Sequence, residues 1–119
     1  MAYVDGFVIV IPTKNLPMYK KMAKVGAKVW RELGALEYRE CIGDDMKVKM
    51  GVPFTKLAGA KASDTVIFSW IVYKSKADRN KINAKVMKDP RIAGMCDPDN
   101  MPFGMDRFSY GGFKTIVEG

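Results

Sequence analysis

TVIFSWIVYKSKADRNKINAKVMKDPR, residues Thr65–Arg91, places a strand, a turn and a helix in one run. Thr65–Tyr73 is rich in β-branched and aromatic residues and free of Gly and Pro, as a strand requires. Val66, Phe68, Trp70 and Val72 alternate onto one face, and Thr65, Ile67, Ser69, Ile71 and Tyr73 onto the other. Both faces are largely apolar, so both need cover; a half-exposed strand would alternate with charges. Ser75 followed by Asp78 has the spacing of a capping box, which predicts a helix from about Lys76 to Lys88 that Pro90 stops.

A turn of about 100° per residue puts Ile82, Val86 and Met87 on the inner arc of that helix. Arg79 and Asn83 fall inside the same arc, while Lys81, Lys85 and Lys88 lie outside it. A guanidinium and an amide aimed at a core need partners, because an unpaired buried charge is costly. Two arrangements supply them. Either both residues face a polar pocket between helix and sheet, or Arg79 snorkels outward and Asn83 ties down a neighbouring loop.

The chain on either side repeats the pattern. Tyr3–Pro12 reads as a strand, with Phe7, Ile9 and Ile11 on one face and Val4, Val8 and Val10 on the other. Thr13 or Asn15 is expected to cap a long helix that has Pro17 in its first turn and Gly34 as its left-handed stop after Leu33. Gly26 sits on that helix's apolar arc, where it lets the backbone approach the sheet. Leu36–Gly43 is a more polar second strand, as an edge strand tends to be. Asp44–Asp64 is too long for a hairpin loop and reads as an irregular β arm, with Phe54–Leu57 extended. Arg91–Met95 suggests one short helical turn. Asp97, Pro98, Asp99 and Asn100 are turn formers that lack the distal glutamate and the glycine of a calcium loop. Arg107–Val117 is a last strand, with Gly111 and Gly112 marking a bulge or a close approach.

Strand–helix–strand–strand–helix–strand is the split βαβ plan of an α+β, ferredoxin-like fold: a four-stranded antiparallel sheet with two helices on one face. At 119 residues the chain is expected to form a single domain, 1–119. Two helices cover one face of such a sheet, whereas the first and third strands are apolar on both. A second copy is the simplest cover, which predicts a symmetric homodimer joined through its sheet faces.

Composition narrows the function classes. Hydrophobic content of 48% and charged content of 28% are those of a soluble globular chain. The apolar start MAYVDGFVIVIP is too short to span a membrane and lacks the basic beginning of a signal peptide, so a cytoplasmic protein without membrane contact is expected. Cys41 and Cys96 have unrelated contexts and read as reduced core thiols rather than a disulfide. Twenty basic against 13 acidic residues give a net charge of +7, which raises nucleic acid as a partner. Lys20, Lys24, Lys28 and Arg31 make one basic stripe on the first helix, with no aromatic residue interleaved. That is the solvated face of an amphipathic helix and disfavours nucleic-acid binding. The absence of histidine removes the imidazole base, histidine-ligated zinc and the proximal ligand of haem, and no cofactor or metal is expected.

Five motifs carry a resemblance: ECIGDD at Glu40–Asp45, FSWIVY at Phe68–Tyr73, NAKVMKDPR at Asn83–Arg91, MPF at Met101–Phe103 and YGGF at Tyr110–Phe113. Together they resemble the YbaA-like bacterial family, a family without assigned chemistry in the dimeric α+β barrel superfamily. The resemblance implies a ferredoxin-like protomer, back-to-back sheets in a dimer, and small-molecule pockets between sheet and helices. Asp78 stands where that family commonly has histidine, and Gly104 and Asp106 depart from its pattern between MPF and YGGF. No family catalytic residues carry over.

Trp70, Tyr73, Arg107 and Tyr110 are the side chains expected to line a ligand pocket with Arg79 and Asn83. Arginines beside aromatics suit a small anionic or carbonyl-bearing molecule, bound or transformed. Two other classes stay open. One is a structural or interaction dimer without catalytic activity. The other is an RNA-binding module, since the RRM shares this strand–helix order, although the third strand lacks the RNP1 pattern. The sequence does not decide whether the protein is an enzyme.

Overall fold

The computed structural model describes residues 1–95 and 97–119. Cys96, and with it the expectation of a reduced thiol there, lies outside the described residues. Four strands run β1 (Tyr3–Pro12), β2 (Glu37–Ile42), β3 (Asp64–Tyr73) and β4 (Phe108–Lys114). Between and around them lie α1 (Leu16–Glu32), a single turn α2 (Phe54–Leu57), α3 (Lys76–Lys88) and a short α4 (Pro90–Ala93). The strands form one sheet in the order β2-β3-β1-β4, antiparallel throughout. The two central strands are therefore the two that read as apolar on both faces, and the polar β2 lies at an edge.

Register assigns every side chain to a face. Ile67, Ile71 and Tyr73 of β3 share a face with Asp5, Ile9 and Ile11 of β1, and all six are buried. Val29 of α1, Ile82 and Val86 of α3, and Ile92 of α4 pack against Ile71 and Tyr73 there, so both long helices cover this face. Each such large apolar side chain contributes about 1.5–3 kcal/mol on burial. Ser75 caps α3 through the Asp78 N–H at 3.1 Å, as its spacing predicts. Gly34 ends α1 with φ of 120°, a value other residues rarely adopt.

On the opposite face lie Val4, Gly6, Val8 and Val10 of β1 beside Val66, Phe68, Trp70 and Val72 of β3. Among the described residues no helix as long as α1 or α3 covers it. At one end the segment after β2 turns back, with Gly43 N–H donating to the Val66 carbonyl at 2.7 Å and the Phe54 ring edge-on to Phe68. Val10 and Val66 are buried at that end.

Several expectations change. Phe54–Leu57 is a helical turn, not part of a β arm, because Pro53 sets the chain to start a helix and its carbonyl accepts the Leu57 N–H at 3.0 Å. Neither Thr13 nor Asn15 caps α1 with its side chain. Thr13 bonds to Thr65 at 2.8 Å, and Asn15 donates instead to the Pro102 carbonyl at 2.9 Å. Met87 is 59% exposed, so the inner stripe of α3 is Arg79, Ile82, Asn83 and Val86. β4 keeps continuous register with β1 through Gly111 and Gly112, which excludes a bulge and leaves close approach as the reason for both glycines.

Candidate functional site

Asp5 is the centre of a polar cluster on the helix-covered face. It is 1% exposed and sits mid-strand among apolar neighbours, opposite Gly112 on one side and Ile71 on the other. Its Oδ2 accepts from Asn83 Nδ2 at 3.2 Å. Asn83 Oδ1 in turn accepts from Trp30 Nε1 at 3.0 Å and from the Tyr73 hydroxyl at 2.9 Å, so strand and both long helices are tied at one amide. Arg79, one turn earlier on α3, brings its Nε to 3.7 Å from Asp5 Oδ1. That pairs the charges but exceeds a hydrogen bond, and both atoms are buried without a partner among the described residues. The other guanidinium nitrogens donate to the hydroxyls of Tyr110 and Tyr3, each at 3.1 Å, and the group lies over the Tyr3 ring, 4.9 Å from its centroid.

Gly112 makes this possible. A Cβ there would lie 2.8 Å from Arg79 Nη2 and would also strike the Tyr3 hydroxyl, so a side chain would evict the guanidinium. Burial, followed by the nearby Asp5 charge, pushes the Tyr73 hydroxyl well above the ordinary tyrosine range. Tyr110 is raised by the same two causes, with Arg79 opposing them. Burial works against the Arg79 charge, but the Tyr3 hydrogen bond and Asp5 outweigh it and its pKa is raised. The cluster is thus an ion pair of no net charge, bordered by the Tyr73 and Tyr110 phenols that hold their protons above the ordinary range. Such an arrangement does not present a free cation to an anion.

A second carboxylate site lies further along the same face. Glu40 of β2 accepts the Tyr19 hydroxyl on Oε1 and the Tyr38 hydroxyl on Oε2, both at 2.7 Å. Burial, then the Glu40 charge and hydrogen bond, raises both phenols far above their usual range. Gly26 fits its sequence reading: a Cβ on it would lie 2.9 Å from the Tyr38 hydroxyl, which occupies the space against α1.

Of the six side chains expected to line one pocket, the fold gathers four: Arg79, Asn83, Tyr73 and Tyr110. Trp70 and Arg107 are placed elsewhere. Trp70 is three residues from Tyr73 and so points through the other side of the sheet, where its Nε1 donates to Glu37 at 3.2 Å and Arg39 lies 5.9 Å from its ring centroid. Arg107, just before β4, pairs with Asp64 at 2.9 Å. Asp5, Tyr3 and Glu40 belong to the clusters without having been among those six. The parity of β1 carries a signal for Asp5, since an acid in step with Phe7, Ile9 and Ile11 must face the core.

The space between α3 and the sheet is filled by the cluster itself. A broad apolar concavity of about 700 Å³ lies instead on the uncovered face, lined among others by Val4, Gly6, Val8, Trp70 and Phe113. Cys41, a half-buried free thiol paired in register with Phe68, also lies on that face rather than in a core. Among the described residues no three acidic or cysteine side chains converge to hold a metal ion. No helix among them is long and apolar enough to cross a membrane.

Comparison with known proteins adds a family. The family described as "Protein of unknown function (DUF1428)" matches residues 2–105. The Uncharacterized protein YbaA of Escherichia coli strain K12 is 38% identical over 118 residues, covering 99% of each chain. The YbaA protein of Shigella flexneri matches to the same extent. The chain belongs to the DUF1428 family, and its likeness to YbaA runs from end to end.

Proposed function

We propose that this member of the DUF1428 family acts as a homodimer of ferredoxin-like protomers, joined through the uncovered faces of their sheets. Read from its other edge, the sheet order is β4-β1-β3-β2, which supports the split βαβ plan with both long helices on one side. The observation that carries the dimer is the uncovered face: Phe68 is 45% exposed and Phe113 60%, flanking a concavity lined almost wholly by apolar groups. Patches of this kind mark interaction surfaces, and a two-fold contact lets one patch cover itself. Glu37 and Arg39 at the β2 edge give the patch a rim with both signs of charge.

The test is sedimentation velocity at micromolar concentration on the wild type and on Val8→Glu. The wild type is expected to sediment at twice the mass of one chain. The variant is expected to sediment as a single folded chain with unchanged circular dichroism. A monodisperse single subunit for the wild type would overturn the proposal.

A second reading concerns the Asp5–Arg79 cluster, and it rests on the two buried atoms that face each other unpartnered. Because Asp5 already balances Arg79, the cluster favours over a free anion a small carbonyl-bearing molecule of amide type. Its carbonyl accepts from Arg79 Nε and its N–H donates to Asp5 Oδ1, and the two side chains must move apart to admit it. Arg79→Ala examines this reading. A native mass spectrum in which the wild-type dimer retains a ligand that the folded variant dimer lacks supports a site. Identical spectra from two folded dimers favour a structural dimer.

A further inference from the structure

Arg107 leaves the Asp5 cluster to frame a different cleft, of about 660 Å³, where three chain segments meet. These are the exit of β1 into α1 at Thr13 and Lys14, the turn before β3 at Lys61, Ser63 and Asp64, and Arg107 itself. The frame is cross-linked. Thr13 N–H donates to the Ser63 carbonyl at 3.0 Å, and the Thr13 and Thr65 hydroxyls bond at 2.8 Å. Asp64 Oδ2 accepts both the Lys61 N–H and Arg107 Nη2, each at 2.9 Å.

Three cations, Lys14, Lys61 and Arg107, therefore stand against one carboxylate, Asp64, whose Oδ2 already accepts two bonds. The excess is two positive charges. Arg107 is held by Nη2 alone, which bonds to Asp64 and more weakly to the Gly59 carbonyl at 3.5 Å. Its Nε and Nη1 bond to none of the described residues; both two-donor edges of the guanidinium share the engaged Nη2, so Nε and Nη1 remain as separate donors. Nη1 carries two N–H donors on a guanidinium that Asp64 holds in place, and can give a charge-assisted bond to an oxyanion oxygen. The cleft volume falls in the range of about 300–1,000 Å³ usual for small-molecule sites. Among the described residues no aromatic side chain lines it to stack a base or a planar ring.

We propose that this cleft binds the phosphoryl group of a small phosphate ester, with Arg107 donating through Nη1, Lys14 and Lys61 balancing the charge, and the Ser63 hydroxyl donating to a further oxygen. The site is distinct from the Asp5 cluster and does not depend on the dimer. A nucleic-acid backbone is the weaker occupant, because successive phosphates need an extended basic track and this charge is confined to one hollow.

Amide chemical-shift titrations of the full chain at low salt, with inorganic phosphate and with glycerol phosphate as probes, test the assignment. Saturable shifts confined to Thr13, Lys14, Ser63, Asp64 and Arg107, with millimolar or tighter affinity, are expected. Lys14→Gln with Lys61→Gln removes two exposed cations without touching the core and is expected to weaken binding about tenfold or more. Lys28→Gln with Lys85→Gln, equal in charge but remote, is expected to change it less than about twofold. Arg107→Lys keeps the charge, loses the Nη1 donor that the Asp64 bond holds in place, and should also weaken binding. Absence of saturation, equal losses in the two double variants, or tighter binding of a single-stranded oligonucleotide along the α1 stripe would each overturn the assignment.

Discussion

Within β3, Ile67 is 1% exposed and Ile71 3% on the helix side, while Phe68, between them in sequence, is 45% exposed on the other. The two faces began as equally apolar stretches of chain. What differs is the polarity each admits. The helix side contains Asp5, Arg79, Asn83 and Glu40, each given partners by side chains from α1, α3 or neighbouring strands. The uncovered side between the β2 rim and β4 contains almost none. Covalent connection of the helices to the sheet fixes partner geometry closely enough to bury charge on one side. An uncovered face has no such guarantee, so apolar side chains are the safe occupants for whatever closes over it.

The largest expected effect breaks this contrast at its centre. Asp5→Ala removes the only carboxylate among the described residues that pairs with Arg79, and leaves the Asn83 amide group without its acceptor. Breaking one partner of a buried charge pair costs about 3–5 kcal/mol, a large share of the roughly 5–15 kcal/mol available to a domain. Urea denaturation measures it. A loss below about 1 kcal/mol would mean that water already reaches the cluster and that the pair is not buried in solution.

The parities of β1 and β3 and the limits of α3 were legible because each rests on local rules: two-residue alternation, a Ser–Asp cap and a proline stop. Placing Trp70 beside Tyr73 failed against that same alternation, since residues three apart on a strand face opposite ways. Arg107 was misplaced because nothing in its neighbourhood points to Asp64, 43 residues earlier. The role of Gly112 was half legible. Two adjacent glycines signal close approach, but which groups approach depends on register with β1 and on Arg79 from α3. Asp5 was readable from parity alone, yet an acid near the start of a chain draws little notice until its cross-strand neighbours are known.

Raising the pH probes the same contrast from the side of the phenols. Tyr19, Tyr38 and Tyr73, all on the helix side, hold their protons more tightly in the folded chain than at the ordinary value of 10.0, first through burial and then through Glu40 or Asp5. A group whose folded pKa is raised adds stability that is complete below its unfolded value and is lost as pH climbs above it. The fold should therefore weaken progressively above pH 10, and the phenolate absorbance of these three should rise only together with loss of circular dichroism. Ionisation of all five tyrosines in one step near pH 10, with secondary structure intact, would show that the clusters are open to solvent.

The smallest effect compares two glycines on the paired strands β1 and β4. Gly112 faces the helix side, where a new Cβ meets Tyr3 and Arg79, groups fixed by the Asp5 cluster. Gly6 faces the uncovered side, where a Cβ would lie 3.1 Å from the Phe113 ring, itself 60% exposed and free to swing away. Gly112→Ala should therefore cost about 1–3 kcal/mol, as overpacking does, while Gly6→Ala should alter the stability of one chain by less than about 1 kcal/mol. If the uncovered faces mate, Gly6→Ala fills a hollow that the partner needs, and its cost moves from unfolding of one chain to dissociation of two. Equal unfolding losses at the two positions, with unchanged association, would mean that both faces are packed alike and that the contrast between them is false.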